Sequence, residues 1–295
     1  MAVAAAWDGG IRYFDTAPHY GLGLSERRLG AALSEYPRTE FTLSTKVGRL
    51  LVPNDTPTGS DLETGGFAVE DTLRREYDYS RDGVLRSLEA SLDRLGVDRI
   101  DIVYVHDPED HMPAALEHAI PTLIGLRDEG VIGAVGVGMN LVAPLRRFVA
   151  ESNVDVIMVA GRWTLIDRSA GQLLKECVDR GVAVVAAAPF NSGLLSSTEP
   201  PDDANFDYGP APPQVLAAAR ECASACAAHS TTLPAAALQF PLLHPAVCTV
   251  VAGMRTADQS ALNLEWASAK IDRQLWSALP DALRWNLEPQ TSPAS

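Results

Sequence analysis

Short apolar segments recur along this 295-residue chain, and the stretches between them carry apolar residues at helical spacing. Seven such segments, each bounded by turn residues, are predicted to form strands: residues 11–17, 41–47, 100–106, 132–137, 154–160, 182–188 and 248–252. The spacing in residues 82–95 predicts a helix whose apolar face consists of Val84, Leu85, Leu88, Leu92 and Leu95. Strands and helices that alternate in this way predict a parallel sheet with helical crossovers.

The length and the strand character favour an eight-stranded α/β barrel over an open sheet. A chain of 295 residues lies within the range of a single barrel domain. Residues 182–188 are continuously apolar, as expected of a buried parallel strand. A doubly wound open sheet is the alternative, but no GxGxxG turn follows any predicted strand. We therefore predict a TIM-type (β/α)8 barrel that forms one domain over residues 1–295.

Seven predicted strands are one fewer than the barrel requires, and residues 3–7 already have a helical composition. We therefore expect the first barrel strand to precede Met1, so that this chain is N-terminally truncated. Residues 49–79 and 199–213 are rich in Pro, Gly and Asp and show no sustained periodicity. They are predicted as long loops at the face where barrel enzymes build their sites.

Composition excludes several classes of function. The formal net charge of −14 argues against nucleic-acid and anionic-membrane partners, which require clustered positive charge. No apolar run reaches the roughly 18 residues needed to span a membrane, and the start of the chain lacks the features of a signal peptide. These observations predict a soluble, cytoplasmic protein. The four cysteines lack metal-ligand spacing and are expected to be reduced and mostly buried: Cys177, Cys222, Cys226 and Cys248.

Four polar side chains stand at or just after the ends of predicted strands: Asp15, Tyr20, Lys46 and His106. Each alone has an ordinary explanation as a turn cap, a packed ring or a snorkelling side chain. Barrel enzymes place their chemistry at such strand ends, and together these residue types suit hydride transfer to a carbonyl. A tyrosine with a pKa of about 10 can protonate the carbonyl oxygen if a lysine ammonium lowers that pKa. A carboxylate can hold the lysine, and a histidine can bond the substrate oxygen.

The segments that contain these residues resemble the aldo-keto reductase family. The resemblance runs through GIRYFDTAPHYGLGLSERRLG, FTLSTKVG, RSLEASLDRLGVDRIDIVYVHDPEDH and VVAGMRTADQSALN, and so covers nearly the whole chain in order. It implies a barrel that binds NAD or NADP across its mouth, with Tyr20 as general acid or base. Lys46 and Asp15 would tune Tyr20, and His106 would orient the substrate. Within the family, the aldose 1-dehydrogenase branch, related to pyridoxal 4-dehydrogenases, is most similar and implies oxidation of a sugar hemiacetal to a lactone.

The resemblance also implies cofactor and substrate contacts. Asn140 is similar to the residue that holds the nicotinamide carboxamide, although Met139 replaces the usual Ser and Gly161 replaces a Gln. Ala187 replaces the Tyr that commonly stacks on nicotinamide, for which Trp163 is a candidate; a pocket wall or a buried aromatic is the alternative. The substrate-pocket residues are expected to be His19 and Trp163.

Two further segments match the cofactor-binding loops of the family. The diphosphate loop PFNSGLL contains Asn191, Ser192 and Gly193. The adenosine end of the cofactor is expected to contact Gly253, Met254, Arg255, Gln259 and Asn263. Arg255 is the one obvious cation of this second segment in the sequence. Because a 2′-phosphate is usually held by several charge-assisted contacts, the sequence favours NAD over NADP.

Two other functions were weighed against a nicotinamide-dependent enzyme. A metal-dependent hydrolase would use ligands such as His106, Asp107, Asp110 and His111, but spacing alone does not make a metal site. A catalytically weak, nicotinamide-binding regulatory protein is the second alternative. The complete set of four catalytic residue types favours an enzyme acting on a small carbonyl or sugar substrate, without a metal.

Overall fold

The computed structural model describes residues 1–280, which form two compact units. The first unit is Ile11–Ile157. The second unit consists of Met1–Gly10 and the described residues from Met158 onward. The prediction of one domain over residues 1–295 and the expected upstream strand both stay predictions.

Strands of a parallel sheet provide the framework of each unit. In chain order the strands are β1 Tyr13–Asp15, β2 Thr42–Val47, β3 Arg49–Pro53, β4 Leu73–Tyr77, β5 Ile100–His106, β6 Ile132–Met139, β7 Val156–Ala160, β8 Ala183–Ala187, β9 Asn205–Phe206, β10 Gly209–Pro210 and β11 Val247–Val251. The order within the main sheet is β1-β2-β5-β6-β7-β8-β11. In the first unit β1 pairs with β2, β2 with β5 and β5 with β6, all in parallel; in the second unit β8 and β11 are parallel.

Helices follow most of these strands, as the apolar spacing predicts. They are α1 Ala2–Asp8, α2 Leu24–Leu33, α3 Leu62–Gly65, α4 Arg81–Leu95, α5 Met112–Ala114, α6 Ile120–Asp128, α7 Val142–Glu151, α8 Gly171–Arg180, α9 Pro213–Ala228, α10 Leu233–Gln239, α11 Ala257–Ser268 and α12 Arg273–Ala278. A π-helical turn, Ala115–Ala119, joins α5 to α6. The α/β class and all seven predicted parallel strands are confirmed, with ends that differ by a few residues.

The prediction of an irregular loop over residues 49–79 is wrong in part. Its two ends pair as the antiparallel hairpin β3–β4, and a short helix, α3, lies between them. The apolar run of β3, Leu50 to Val52, is shorter than that of a typical buried strand, and β4 carries three charged residues and is largely exposed. The predicted loop 199–213 contains a small hairpin, β9–β10.

Helix α4 connects the fold to the site, because it packs next to β2 and β3. Ser80 caps its first turn by accepting a hydrogen bond from the backbone N–H of Gly83. Val84, Leu88 and Leu95 are buried as predicted, whereas the other two predicted face residues, Leu85 and Leu92, are half-buried. Small polar residues on α4 complete the buried face: Ser87 and Ser91.

The second unit has a core of small and aliphatic side chains between α9, α10 and α12. Cys222 and Cys226 are part of this core, and Cys177 is buried in α8. The expectation that the cysteines are mostly buried is confirmed, with Cys248 as the exposed one because β11 buries only its first residue. Within residues 1–280, no helix is both long and apolar enough to cross a membrane.

Candidate active site

The buried ammonium group of Lys46 is the centre of the candidate catalytic group. Lys46 lies near the end of β2, and only 2% of the residue is exposed. Its Nζ donates hydrogen bonds to Oδ2 of Asp15, at 2.6 Å, and to the backbone carbonyl of Thr16, at 2.9 Å. Burial alone would lower the pKa of Lys46, but the charges of Asp15 and Tyr20 outweigh it and raise the pKa. Lys46 therefore stays positively charged in the interior.

Tyr20 lies in the turn between β1 and α2, where Gly21, Leu22 and Gly23 have positive φ. Nζ of Lys46 is 4.8 Å from the centroid of the Tyr20 ring. Burial raises the pKa of Tyr20, and the charge of Lys46 opposes that rise without cancelling it. Lys46 therefore lowers this pKa, as expected, but desolvation of the phenol is the larger effect and the net pKa lies above the ordinary value.

Three polar side chains behind Asp15 belong to the same network and were missed in the sequence. Ser44 donates from Oγ to Oδ1 of Asp15 at 2.6 Å. The Tyr13 hydroxyl lies 3.0 Å from the Ser44 Oγ and 3.1 Å from the Tyr104 hydroxyl. The available signal was alternation, because Tyr13 and Asp15 share one face of β1. That Ser44 lies opposite Asp15 depends on the strand register, which the sequence alone did not provide.

His106 ends β5 and brings its ring next to Tyr20. Its ring centroid is 5.8 Å from that of Tyr20, with the planes at 90°, and 5.7 Å from that of His19. The structure thus places Asp15, Tyr20, Lys46 and His106 together in the first unit. His19, which we predicted to line the substrate pocket, lies directly beside them.

Both histidines are neutral at physiological pH. Burial, followed by the positive charge of Arg49, lowers the pKa of His106. The same two causes, with Arg75 in addition, lower the pKa of His19 to about 3. A neutral imidazole donates one hydrogen bond and accepts one, so either ring can bind a substrate oxygen without carrying charge.

The segment between β3 and β4 contributes an aromatic side chain that the sequence analysis did not select. The Phe67 ring lies 5.3 Å from His19 and 6.2 Å from Tyr20, measured between centroids. Arg75 lies over Phe67 at 5.7 Å, binds the buried carboxylate of Asp61 through two short hydrogen bonds and donates to the backbone carbonyl of His19. The ion pair therefore holds Phe67 and His19 beside the candidate catalytic group.

The possible metal ligands of the HDPEDH segment do not form a metal site. Oδ2 of Asp107 accepts a hydrogen bond from Arg49 at 2.6 Å, and the His111 ring packs against Tyr77 and Tyr79. In the part of the chain that the structure describes, no three His, Cys, Asp or Glu side chains are arranged to hold a metal ion.

In the second unit, the segment after β8 has the backbone geometry of a loop that can surround a ligand. Ala188, Asn191, Ser192 and Gly193 all have positive φ. The Asn191 side chain donates to the Gly161 carbonyl at 3.0 Å, and its buried Oδ1 has no partner among residues 1–280. A buried oxygen without a donor is unfavourable unless a ligand or water supplies one. Asn191 is therefore suited to accept a hydrogen bond from a bound cofactor.

The predicted adenosine-binding residues lie around the start of α11 in the second unit. Thr256 caps this helix by accepting from the backbone N–H of Gln259. The side chain of Gln259 accepts from the backbone N–H of Arg255 at 2.7 Å, while the Arg255 residue is exposed. Asn263 is buried on the same helix, and Gly253 is exposed just before it.

The remaining predicted contacts are divided between the units. Asn140 directly follows β6 in the first unit and is half-buried. In the second unit Ala187 ends β8, and the half-buried Trp163 packs on Phe240 with 5.6 Å between ring centroids. Its indole N–H has no hydrogen-bond partner within residues 1–280. This packing favours an aromatic wall over a free stacking platform for Trp163.

Comparison with known proteins identifies relatives over almost the whole chain. Residues 1–284 match the profile of the Aldo/keto reductase family. The chain is 47% identical to D-threo-aldose 1-dehydrogenase from a Pseudomonas species, over 94% of this chain and 85% of the relative. It is 36% identical to pyridoxal 4-dehydrogenase from Microbacterium luteolum, over 93% of this chain and 85% of the relative.

A solved structure gives the same result for the fold. The holo form of an aldo-keto reductase from Bacillus halodurans superposes with a TM-score of 0.76 at 26% identity. The match covers 97% of this chain and 88% of that one. The predicted TIM-type barrel class is thereby confirmed.

Proposed function

Because the chain belongs to the aldo/keto reductase family, whose members are nicotinamide-dependent oxidoreductases, we propose that it oxidises the hemiacetal of an aldose to a lactone. The same groups can also run hydride transfer towards a carbonyl carbon, which reduces an aldehyde to an alcohol. The observation that carries the proposal is the buried chain of contacts from Asp15 through Lys46 to Tyr20, with His106 beside it. The 47% identity to an aldose dehydrogenase favours a sugar over pyridoxal as the substrate.

In this mechanism Tyr20 holds and moves the proton. During oxidation its deprotonated oxygen accepts the proton of the substrate hydroxyl; during reduction its hydroxyl protonates the carbonyl oxygen. Lys46 stabilises the tyrosinate through its charge, and Asp15 keeps that ammonium fixed. The neutral His106 ring orients the substrate oxygen. The dense packing around the ammonium means that little reorganisation is needed during the reaction.

The residues of the second unit fit a nicotinamide dinucleotide. The unpartnered Oδ1 of Asn191 and the positive-φ backbone through Ser192 and Gly193 supply an acceptor and an open loop for the cofactor. Gly253, Gln259 and Asn263 would hold its adenosine end. When bound, the nicotinamide supplies the hydride acceptor or donor.

We favour NAD over NADP as the cofactor. Arg255 is exposed and forms no ion pair within residues 1–280, so one arginine is available to a 2′-phosphate in that segment. Strong recognition of a phosphate typically uses several charge-assisted contacts. The alternative of a catalytically weak regulatory protein has no observation in its favour, since all four catalytic residue types are present and in contact range.

Steady-state kinetics with a panel of substrates tests the proposal. Aldoses, pyridoxal and simple aldehydes would each be assayed with NAD or NADP, in the direction that the substrate allows. We expect the largest kcat/KM for an aldose with NAD. A higher kcat/KM for pyridoxal than for every aldose would contradict the proposed substrate, and absence of turnover with any pair would contradict the proposed reaction.

A further inference from the structure

The residue after His106 has a backbone conformation that the local structure actively maintains. Asp107 has a φ of +40°, which is unfavourable for a residue with a side chain, although Asp adopts it more readily than most. Its backbone N–H donates to the Gly138 carbonyl of β6 at 3.0 Å. The Tyr79 hydroxyl donates to the carbonyl of His106 at 2.8 Å and is 3.2 Å from that of Asp107.

Two further contacts fix the same arrangement. A Cβ atom at Gly48 would lie 2.2 Å from the Tyr79 ring, so a glycine is required for Tyr79 to reach this position. Arg49, the next residue, donates to Oδ2 of Asp107 at 2.6 Å. Strained backbone that is held from several sides is typical of functional positions.

The result is a carboxylate presented beside the candidate catalytic histidine. Oδ2 of Asp107 lies 3.4 Å from Nε2 of His106, and the side chain is 29% exposed. Arg49 donates to Oδ2, and none of the hydrogen bonds described within residues 1–280 ends on Oδ1. An ionised carboxylate can accept several hydrogen bonds, so Asp107 has unused capacity next to His106.

We propose that Asp107, oriented by Arg49, binds the hydroxyl group on the carbon next to the reacting carbon, and thereby selects hydroxylated substrates over plain aldehydes. This inference rests on the proposed function, in which His106 orients the reacting oxygen. A hydroxyl on the adjacent carbon lies about one hydrogen-bond length from that oxygen, which is the separation that His106 and Asp107 offer. Arg49 and Tyr79 act as positioning residues.

The expected size of the effect follows from the chemistry of the contact. A hydrogen bond to a charged acceptor contributes about 10- to 100-fold in affinity, and a substrate without the hydroxyl loses that contribution. Sites that hydrogen-bond a substrate hydroxyl discriminate well against analogues that lack it. The hydroxyl-free substrate should therefore be insensitive to Asp107.

The test compares 2-hydroxypropanal with propanal, which differ by this one hydroxyl and react in the same direction. Asp107→Asn retains a residue that tolerates positive φ, and Asp107→Ala removes the acceptor altogether. We expect kcat/KM for 2-hydroxypropanal to fall about 10- to 100-fold, mainly through KM, while kcat/KM for propanal is unchanged. Asp110→Asn, which removes a charge from an exposed residue of the same segment, is the matched control and should behave as wild type.

Unchanged turnover of propanal also reports that each variant is folded. An equal loss on both aldehydes in both Asp107 variants would overturn the inference, because Asp107 would then act only on His106 or on the fold. No loss on either aldehyde would overturn it as well. If the wild-type enzyme oxidises an aldose but reduces neither aldehyde, the inferred selection between hydroxylated and plain aldehydes is overturned and the proposed function stands. If it turns over no aldose either, the proposed function itself fails.

Discussion

The Lys46–Asp15 ion pair and the candidate cofactor residues satisfy their polar atoms in opposite ways. In the first unit, Nζ of Lys46 donates a 2.6 Å hydrogen bond to one carboxylate oxygen of Asp15, and Ser44 donates to the other. In the second unit, the buried Oδ1 of Asn191 has no partner among residues 1–280, and Arg255 is exposed without an ion pair there. The ion pair is complete without a ligand, whereas Asn191 has an atom that a ligand would complete, and so does His106 of the first unit, whose buried Nδ1 has no partner within residues 1–280.

This difference separates two kinds of mutational effect. A catalytic group held by its own ion pair is preorganised, so substitution of its residues should alter turnover. Substitution of a buried charge should also lower the free energy of unfolding. Substitution of a residue whose polar atoms would bind the ligand should change the dissociation constant of the cofactor and leave the free energy of unfolding nearly unchanged. The predictions below test this separation from the largest expected effect to the smallest.

Tyr20→Phe is expected to cause the largest loss of activity. It removes the proton-transfer hydroxyl and keeps the ring that packs against His19, His106 and Phe67. Turnover of an aldose should fall by on the order of 10² to 10⁴ or more, the contribution of general acid–base catalysis. Stopped-flow or steady-state kinetics measure the loss, and fluorescence titration should give a cofactor Kd close to that of wild type. Full activity would remove Tyr20 from the mechanism.

Lys46→Met is expected to reduce both turnover and stability. Removing the ammonium leaves Asp15 buried without its ion-pair partner, and breaking a buried pair costs about 3–5 kcal/mol. Chemical denaturation measures this change in the free energy of unfolding. If Lys46→Met had the same free energy of unfolding as wild type, the buried Lys46–Asp15 pair would not contribute to stability and this prediction would be wrong.

The same variant has a defined effect on the pH profile. Burial raises the pKa of Tyr20 and Lys46 opposes that rise, so removing Lys46 raises the pKa further. In the proposed mechanism, aldose oxidation uses deprotonated Tyr20. Its rate should therefore increase with pH and, in Lys46→Met, require a still higher pH. Reduction uses the protonated hydroxyl and should be independent of pH through neutrality in both proteins. A shift of the oxidation profile to lower pH would contradict the assigned role.

Much of the fold was predictable because buried parallel strands have a strong pattern. Residues 100–106 were predicted as a strand and form β5, Ile100–His106, with the same bounds. The hairpin β3–β4 was missed because β3 has an apolar run of only three residues and β4 is charged and largely exposed. Phe67 was missed with it, since a single aromatic in an irregular segment does not reveal which strand end it will contact.

Residues of the candidate site were predictable where the residue type alone indicates the chemical role. Lys46 and Asp15 at strand ends suggested their ion pair, and the structure contains it. Ser44 and Tyr13 were not predictable, because their contacts depend on the register between β1 and β2. The net direction of the Tyr20 pKa also depends on burial, which residue types alone do not determine.

Arg255→Ala should have the smallest effect. It tests the prediction that substitutions among the candidate cofactor residues alter cofactor binding but not stability. The exposed Arg255 side chain contributes no ion pair within residues 1–280, so the free energy of unfolding should be unchanged. Its guanidinium can contact a 2′-phosphate through charge-assisted hydrogen bonds, which NAD lacks. Isothermal titration should therefore show weaker binding of NADP, by about tenfold for one such contact, and unchanged binding of NAD. If wild type prefers NADP by tenfold or more in kcat/KM, the preference for NAD is wrong, and this variant should then lose most of that difference. Equal losses for both cofactors would instead place Arg255 at a part of the dinucleotide that NAD and NADP share.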